Sequence, residues 1–252
     1  MEHDSLYKKR FIIGIGDVDF TKALKLSTLF DYFQDAASYA AQRLGLGIDK
    51  LEKYSVTWVL LRMRVDIDRL PVWNEEITVE TWPQPPKKIE FERDFIVRDK
   101  DGNVLIRAVS TWAIIDIKTR ELQRAELISI ECPSYISQRA IECRPGKIKP
   151  CGQLEIAYKK TIGYSDIDFN GHLNNSRYID YVMDCFPVES HKKYRVKSIE
   201  INYVNEAFPG DSLLLCKDIP AEDTNQIYIE GVNEKDGKPA FKTRVEVIER
   251  QG

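Results

Sequence analysis

One short stretch, residues 164–187, carries the densest set of side chains in the sequence that could do chemistry. Its polar members are carboxylates, amides and one imidazole, namely Asp166, Asp168, Asn170, His172, Asn174 and Asn175. Carboxylates and imidazoles transfer protons, and amides donate hydrogen bonds to a developing oxyanion. The stretch therefore predicts a site that can stabilise an oxyanion and move a proton.

A helix is predicted to position these groups, because an apolar stripe follows them. The stripe has the spacing of one helical face and consists of Tyr178, Ile179, Val182 and Phe186. Asn175 or Ser176 can cap the start of this helix, and Pro187 can end it. Backbone amides and the positive end of the helix dipole lie at such a start, so the amides of residues 172–175 are candidate oxyanion donors.

The same pattern occurs earlier in the chain, which indicates two copies of one module. Residues 17–36 align with residues 166–185 without a gap. The shared pairs include Asp17 and Asp166, Asp19 and Asp168, Leu24 and Leu173, Ser27 and Ser176, and Tyr32 and Tyr181. At the polar positions the copies differ, since His172 faces Ala23, Asn170 faces Thr21 and, in a looser alignment, Glu206 faces Leu70. If the chain has one active site, the second copy supplies it and the first is free to shape a pocket.

Composition restricts the class of protein. The 252 residues are 43% hydrophobic, enough for a substantial core, and the net charge of −3 argues against a general nucleic-acid binder. No apolar run approaches the roughly 18 residues of a membrane span, and the first residues do not resemble a signal peptide. The five scattered cysteines indicate neither a disulfide framework nor a zinc site, so we expect a cytoplasmic protein without metal or cofactor. A metal at Asp166, Asp168 and His172 is disfavoured because no second His or Cys joins them.

The residue patterns predict an α+β fold for each copy. In the first copy they predict a strand at 8–13, a helix at 27–44, and strands at 56–67, 76–82, 89–98 and 103–116. The second copy repeats this order with a strand at 155–162, a shorter helix, and strands at 196–205, 212–218, 226–232 and 240–249. The Pro- and Gly-containing residues 131–153 predict a linker, so the expected domains are 1–130 and 154–252.

With these features the chain resembles the acyl-acyl carrier protein thioesterases of plants and bacteria. The second copy matches the family's D-x-N-x-H-x-N-N segment at residues 168–175, followed by R-Y-I. The first copy matches at residues 58–63, 71–73 and 107–112. The resemblance implies two tandem hot-dog domains, each an antiparallel sheet wrapped around a central helix. It also implies hydrolysis of the thioester between a fatty acid and the carrier protein's phosphopantetheine arm.

The resemblance further assigns roles to individual residues. The family's catalytic Asp, Asn and His fall on Asp168, Asn170 and His172, and a glutamate that follows a strand tyrosine falls on Glu206. In plant members a cysteine follows that glutamate, whereas this chain has Ala207, which argues against a thiol mechanism. The first copy is expected to hold the acyl chain. The substrate-binding candidates are Trp58, Leu60, Arg62, Met63 and Asn174.

Alternatives remain open for the mechanism and for the function. Glu206 or Asp168 could be the general base toward water, or a carboxylate could attack directly and form an anhydride. His172 could orient the water or protonate the leaving thiolate. The hot-dog fold also serves coenzyme A thioesterases and hydroxyacyl dehydratases, and a non-catalytic sensor of acyl thioesters is a further alternative.

The expected partner is an acyl carrier protein, which is strongly acidic. Residues 191–197 form a basic run that could receive it, and Lys87 and Lys88 form a rival patch. An ordinary solvated surface is the alternative for both. We expect no nucleic-acid or membrane partner, and the tandem repeat is compatible with a monomer or a homodimer.

Overall fold

A computed structural model describes residues 5–128, 135–149, 153–218 and 225–250 of the chain. The chain divides into two compact units, of which unit 1 contains residues 1–25 and 31–145, and unit 2 contains residues 26–30 and 146–252. Each unit combines an antiparallel sheet with a few helices, which confirms the predicted α+β class. Of the predicted linker, residues 131–134 and 150–152 lie outside the described residues.

Unit 1 is built from five strands and a long helix. The strands are β1 (Tyr7–Ile12), β2 (Val56–Ile67), β3 (Glu76–Pro83), β4 (Phe91–Asp99) and β5 (Val104–Asp116), in the sheet order β1-β3-β4-β5-β2. The helices are α1 (Leu26–Arg43), of which residues 31–43 belong to unit 1, and the short α2 (Ile48–Lys53). Phe33, Ala36 and Ala40 recur at helical spacing on α1 and are buried, and the Phe33 ring lies 4.9 Å from that of Phe95 on β4. The core of unit 1 therefore lies between α1 and the sheet.

Unit 2 repeats this plan with a shorter central helix. Its strands are β6 (Leu154–Thr161), β7 (Tyr194–Tyr203), β8 (Ser212–Asp218), β9 (Gln226–Asn233) and β10 (Pro239–Glu249), in the order β7-β10-β9-β8-β6. The helices are α3 (Arg177–Met183) and α4 (Val188–Lys193). Tyr178, Ile179 and Val182 of α3 are buried as the stripe predicted, and the Tyr178 ring lies 5.3 Å from that of Phe241 on β10.

Each predicted strand is present, with ends within two residues of the prediction, and the helix predicted at 27–44 is α1. One prediction about the helices is wrong, and two short helices were not predicted. The helix predicted to end at Pro187 ends at Met183, and Pro187 instead precedes α4. Helices α2 and α4 were not predicted, because each has six residues and too short an apolar stripe to be recognised. Among the described residues, no helix has the length and apolarity that crossing a membrane requires.

The described beginning of the predicted linker is bound to unit 1 by buried ion pairs. Arg139 contacts the carboxylates of Glu92 at 2.9 Å and Asp94 at 3.0 Å. Asp94 also accepts a hydrogen bond from the amide of Ala140 at 2.8 Å. Burial raises the pKa of Asp94, which has no exposed surface, although Arg139 opposes that shift. This part of the chain therefore lies against β4 rather than forming a free connection.

We expect Gly231→Ala to lower the free energy of unfolding by roughly 1–3 kcal/mol, the usual cost of overpacking a core. Gly231 lies opposite Phe241 in the β9–β10 ladder, and a Cβ at this position would lie 2.3 Å from Cε1 of the buried Phe241 ring. Chemical denaturation monitored by circular dichroism measures the change. Gly16→Ala is the control, because its Cβ would meet nothing within 4 Å. Equal stability of the two variants would contradict the packing described for β9 and β10.

Candidate active site

The loop that precedes the central helix has the same hydrogen bonds in both units. In unit 1, the amide of Gly14 donates to the carboxylate of Asp17 at 2.8 Å. In unit 2, the amide of Gly163 donates to Asp166, also at 2.8 Å. Each bond closes a single turn of 3₁₀ helix. The repeat seen in the sequence is thus present in the backbone, and Asp166 holds a turn as Asp17 does.

Asp168 holds the next turn of the same loop. Its Oδ1 accepts the backbone amide of Asn170 at 2.8 Å, and its Oδ2 accepts the side-chain Nδ2 of Asn170 at 3.3 Å. In unit 1, Asp19 likewise accepts the amide of Thr21 at 2.7 Å and its hydroxyl at 2.6 Å. Both carboxylates therefore fix a turn. In unit 2 this interaction also orients the carboxamide of Asn170.

His172 and Glu206 lie together although they are far apart in the sequence. The distance between Nδ1 of His172 and Oε1 of Glu206 is 3.4 Å, and the two side chains are 25% and 36% exposed. A backbone hydrogen bond of 2.9 Å from the amide of Leu173 to the carbonyl of Ala207 ties the two loops together. Both groups are therefore held side by side while remaining accessible to solvent.

Unit 1 has the same backbone link but not the same side chains. The amide of Leu24 donates to the carbonyl of Pro71 at 2.8 Å, as Leu173 does to Ala207. The residues that precede these two in unit 1 are Ala23 and Leu70. Neither side chain can transfer a proton, so the acid–base pair at this loop position belongs to unit 2.

Tyrosines support the loop that carries Glu206. The hydroxyl of Tyr203, at the end of β7, donates to the carbonyl of Asn175 at 3.0 Å. The Tyr203 ring packs edge to face on Tyr178 at 5.5 Å, and Tyr178 makes a hydrogen bond with the backbone of Ala207. Burial raises the pKa of Tyr178, so its phenol stays neutral. These contacts connect the start of α3 to the strand end that precedes Glu206.

Asn174 caps the start of α3. Its Oδ1 accepts the amide of Ser176 at 2.9 Å and the hydroxyl of Ser176 at 3.1 Å. Ser176 occupies the N-cap position of α3, which was one of the two predicted alternatives, but its side chain makes no capping hydrogen bond and donates to Asn174 instead. The amide of Leu173 donates to the carbonyl of Ala207 on the neighbouring loop, and the amide of Asn174 donates to the carbonyl of Asp166. Because both amides already have backbone partners, the prediction that they face a ligand is wrong.

The three apolar substrate-binding candidates lie on the buried side of β2. Leu60 and Met63 are buried. The ring of Trp58 packs edge to face on Phe91 at 4.8 Å, and its Nε1 donates to the carbonyl of Leu46 at 3.1 Å. All three face apolar surroundings within unit 1. Their role in acyl binding stays a prediction.

Arg62 differs from the other candidates on β2. A β-bulge between Leu60 and Arg62 shifts the alternation of side chains along β2, so Leu60 and Met63 share the buried face and Arg62 lies on the opposite one. Its Nη1 lies 3.5 Å from the carboxylate of Glu90. The four candidates on β2 therefore do not share one surface.

The described cysteines have properties that do not suit a nucleophile. Cys185 is buried, its thiol donates to the carbonyl of Tyr181, and burial raises its pKa to about 12. Burial also raises the pKa of Cys216. Cys143 is exposed and lies in unit 1. A thiolate is the reactive form of cysteine, so Cys185 and Cys216 agree with the sequence argument, based on Ala207, against a cysteine–histidine mechanism.

If this loop carries out the predicted thioester hydrolysis, we expect iodoacetamide at pH 7 to leave the rate of that reaction within about two-fold of the untreated value. The thiol of Cys185 stays protonated at this pH because its pKa is about 12, and a protonated thiol reacts slowly. Mass spectrometry should show alkylation of the exposed Cys143, which establishes that the reagent was active. Loss of turnover in step with alkylation of Cys185 would contradict the assignment of chemistry to His172 and Glu206.

The two basic runs are largely neutralised by neighbouring carboxylates. Lys192, Lys193 and Lys197 lie 2.7, 3.5 and 2.8 Å from Glu189, Glu249 and Glu246, respectively. In the rival patch Lys87 lies 2.6 Å from Glu92. The run at 191–197 is also not a loop, because it forms the end of α4 and the start of β7. Neither run gains support as a docking surface from these contacts.

Within the described ranges, no three His, Cys, Asp or Glu side chains are grouped as metal ligands. The carboxylates nearest to His172 in the loop instead accept backbone amides, Asp166 from Gly163 and Asp168 from Asn170.

Most of the chain matches a known protein family. The family described as acyl-ACP thioesterase N-terminal domain matches residues 4–128, and the corresponding C-terminal domain matches residues 154–246. A solved acyl-ACP thioesterase from Bacteroides thetaiotaomicron has a TM-score of 0.89 and 30% identity, covering 98% of this chain and 100% of that one. A 12:0-ACP thioesterase from Umbellularia californica has a TM-score of 0.83 at 23% identity over 97% and 98% of the two chains, and supports the fold.

Among curated proteins, the chain is similar to a chloroplastic oleoyl-acyl carrier protein thioesterase 2 from Arabidopsis thaliana. The two are 29% identical over 228 residues, which cover 84% of this chain and 62% of the plant protein. The chain therefore spans less than two thirds of the length of that relative.

Proposed function

Because the chain belongs to the acyl-ACP thioesterase family, we propose that it hydrolyses the thioester of a long-chain acyl-acyl carrier protein. The products are a free fatty acid and the holo-carrier protein. The observation that carries this proposal is the pair of His172 and Glu206, whose nearest nitrogen and oxygen are 3.4 Å apart. His172 lies on the loop that also holds Asn170, and Glu206 lies on the loop after β7. The equivalent loop of unit 1 carries Ala23 and Leu70 instead.

Asn170 is proposed to bind the thioester carbonyl oxygen. A carboxamide nitrogen has two hydrogens, and one of them is directed at Asp168. The second can donate to the oxygen as negative charge develops on it. Removing one such donor typically costs about 100-fold to 1,000-fold in rate. In this account Asp168 is a positioning residue, because it fixes Asn170 through both of its oxygens.

Glu206 is proposed to take a proton from the attacking water, with His172 beside it. Attack of that water on the carbonyl carbon gives a tetrahedral intermediate, which collapses and expels the phosphopantetheine thiolate. His172, whose Nδ1 lies 3.4 Å from Glu206, is proposed to orient the water or to protonate the thiolate. Direct attack by Glu206 is the alternative route. Trapping of an acyl-enzyme anhydride by hydroxylamine would favour it.

Unit 1 is proposed to hold the acyl chain in the space between α1 and the sheet. The support is that Leu60 and Met63 of β2 belong to a buried apolar face. The domain limits of 1–130 and 154–252, with a linker between them, are part of the same proposal. In the same proposal, Asn174 contributes by the hydrogen bond that its side chain makes at the start of α3, and Arg62 contributes by its ion pair with Glu90. The cytoplasmic location and the choice between monomer and homodimer stay predictions.

Product analysis tests the proposed reaction. The protein is incubated with a long-chain acyl-carrier protein, and free thiol and free fatty acid are quantified together. Hydrolysis predicts that the two appear in equal amounts. A hydroxyacyl dehydratase would release no thiol, and an acyl-thioester sensor would bind the substrate without turnover. Either result would overturn the proposal.

A further inference from the structure

An aromatic ring packs directly on the imidazole of the proposed site. The ring centroids of Phe208 and His172 are 5.0 Å apart, and the ring planes meet at 81°. Such an edge-to-face arrangement is one that aromatic pairs prefer. Phe208 is 46% exposed, so this contact is not imposed by general burial in the core. The residue lies two positions after Glu206 and was not singled out in the sequence.

The loop that carries Phe208 is fixed by local hydrogen bonds. The amide of Phe208 donates to Oδ2 of Asp211 at 3.0 Å, and the amide of Asp211 donates to the carbonyl of Phe208 at 3.0 Å. Gly210 completes the turn with a φ of +84°, in the region that favours glycine. The ring of Phe208 is therefore presented from a well-defined turn rather than from a loose end.

The equivalent positions in unit 1 have no ring to orient. Ala23 corresponds to His172 there and forms an isolated bridge with Val72, the counterpart of Phe208. The backbones of these positions are thus adjacent even where the side chains are small. A phenyl ring at this position accompanies an imidazole in unit 2, and an isopropyl group accompanies a methyl group in unit 1.

We propose that Phe208 is a positioning residue that holds the imidazole of His172 in the orientation that directs Nδ1 at Glu206. This inference rests on the proposed function. The second side-chain torsion of histidine is broad and roughly two-fold, so the backbone alone does not decide which ring nitrogen faces Glu206. A phenyl ring set at 81° against the imidazole restricts its rotation and keeps the 3.4 Å contact with Glu206 populated.

Kinetics of two variants at this position test the role. Phe208→Leu keeps an apolar side chain without a ring, and Phe208→Tyr keeps the ring. A 1 Å misplacement of a catalytic group can cost on the order of 100-fold, and we expect Phe208→Leu to lower kcat about 10-fold with KM within about two-fold. Phe208→Tyr should stay within about two-fold of the parent. Val72→Ala, the same position in unit 1, is the matched control and should leave kcat unchanged.

Proton NMR of the histidine ring gives a readout that does not depend on turnover. The chain has three histidines, and the His172 signal is identified by its loss in His172→Gln. The Phe208 ring current should shift this signal, so Phe208→Leu should move it and Phe208→Tyr should not. An unmoved signal, or an unchanged kcat in Phe208→Leu, overturns the role of Phe208 alone. A parent enzyme without any turnover would instead overturn the proposed function, and this role with it.

Discussion

His172→Ala is expected to lower the rate of hydrolysis of acyl-acyl carrier protein at least about 100-fold while the variant stays folded. The substitution removes the group proposed to orient water or protonate the thiolate, and acid–base groups contribute about 100-fold to 10,000-fold. The fold should tolerate the change because unit 1 carries Ala23 on the same hydrogen-bonded loop. Thiol release measures the rate, and circular dichroism with a thermal melt confirms the fold.

The other described histidine supplies a matched control. His191 lies on α4, and its Nε2 is 3.2 Å from the carbonyl of Met183. We expect His191→Ala to keep turnover within about two-fold of the parent, because the described contacts of its ring are with Met183 and Phe186 rather than with Glu206. Equal activity of His172→Ala and the parent would remove His172 from the mechanism.

Glu206→Gln should cause a loss of similar size, at least about 100-fold in kcat. Glutamine keeps the shape of glutamate and can still contact Nδ1 of His172, but it cannot accept a proton from water or attack a carbonyl. The side chain is about one third exposed, so its loss of charge should have little effect on stability. Thiol release under single-turnover conditions separates this chemical defect from a change in product release.

The double variant His172→Ala, Glu206→Gln shows whether the two groups act together. Residues of one catalytic unit are strongly non-additive, so we expect the double variant to be no more than a few-fold slower than the slower single variant. Losses that multiply fully would indicate two independent functions. A fully active Glu206→Gln, together with an inactive Asp168→Asn, would move the role of base from Glu206 to Asp168.

Much of the fold could be predicted because its signals are local. Residues 56–67 are rich in β-branched, aromatic and leucine side chains and form β2 with the predicted ends. Residues 212–218, an apolar run of leucines that follows the turn residues Pro209 to Asp211, form β8 with the predicted ends. The gapless repeat indicated that the loop before each helix is duplicated. The paired bonds of Gly14 with Asp17 and of Gly163 with Asp166 confirm that duplication.

The exact start and end of the short helices could not be predicted, because neighbouring residues of similar type could each occupy those positions. Residues 174–176 are Asn, Asn and Ser, and all three types are good helix caps, so composition alone does not select Asn174. The short helices α2 and α4 owe their existence to their tertiary surroundings rather than to a long apolar stripe. Proline can follow one helix or precede the next, and in this chain Pro187 directly precedes α4.

Contacts between residues that are far apart in the sequence could not be predicted either. The pairs of Arg139 with Glu92 and Asp94 join residues that are more than 40 positions apart, and no periodic pattern announces them. The contact of Phe208 with His172 has the same character. For the site, the sequence supplied His172 and Asn170 through the contrast between the two copies. The pairing of His172 with Glu206 needed the backbone bond between Leu173 and Ala207.

The most direct test of the central claim is thiol release from a long-chain acyl-carrier protein, beside the matching acyl-coenzyme A at equal concentration. The parent and Glu206→Gln are assayed together. We expect thiol release to be fast from the acyl-acyl carrier protein and much slower from the acyl-coenzyme A. With Glu206→Gln, both rates should be at least about 100-fold lower. Equal rates on the two substrates would point to a general coenzyme A thioesterase. Release that Glu206→Gln leaves unchanged, or no release at all, would contradict the assignment of thioester hydrolysis to this site.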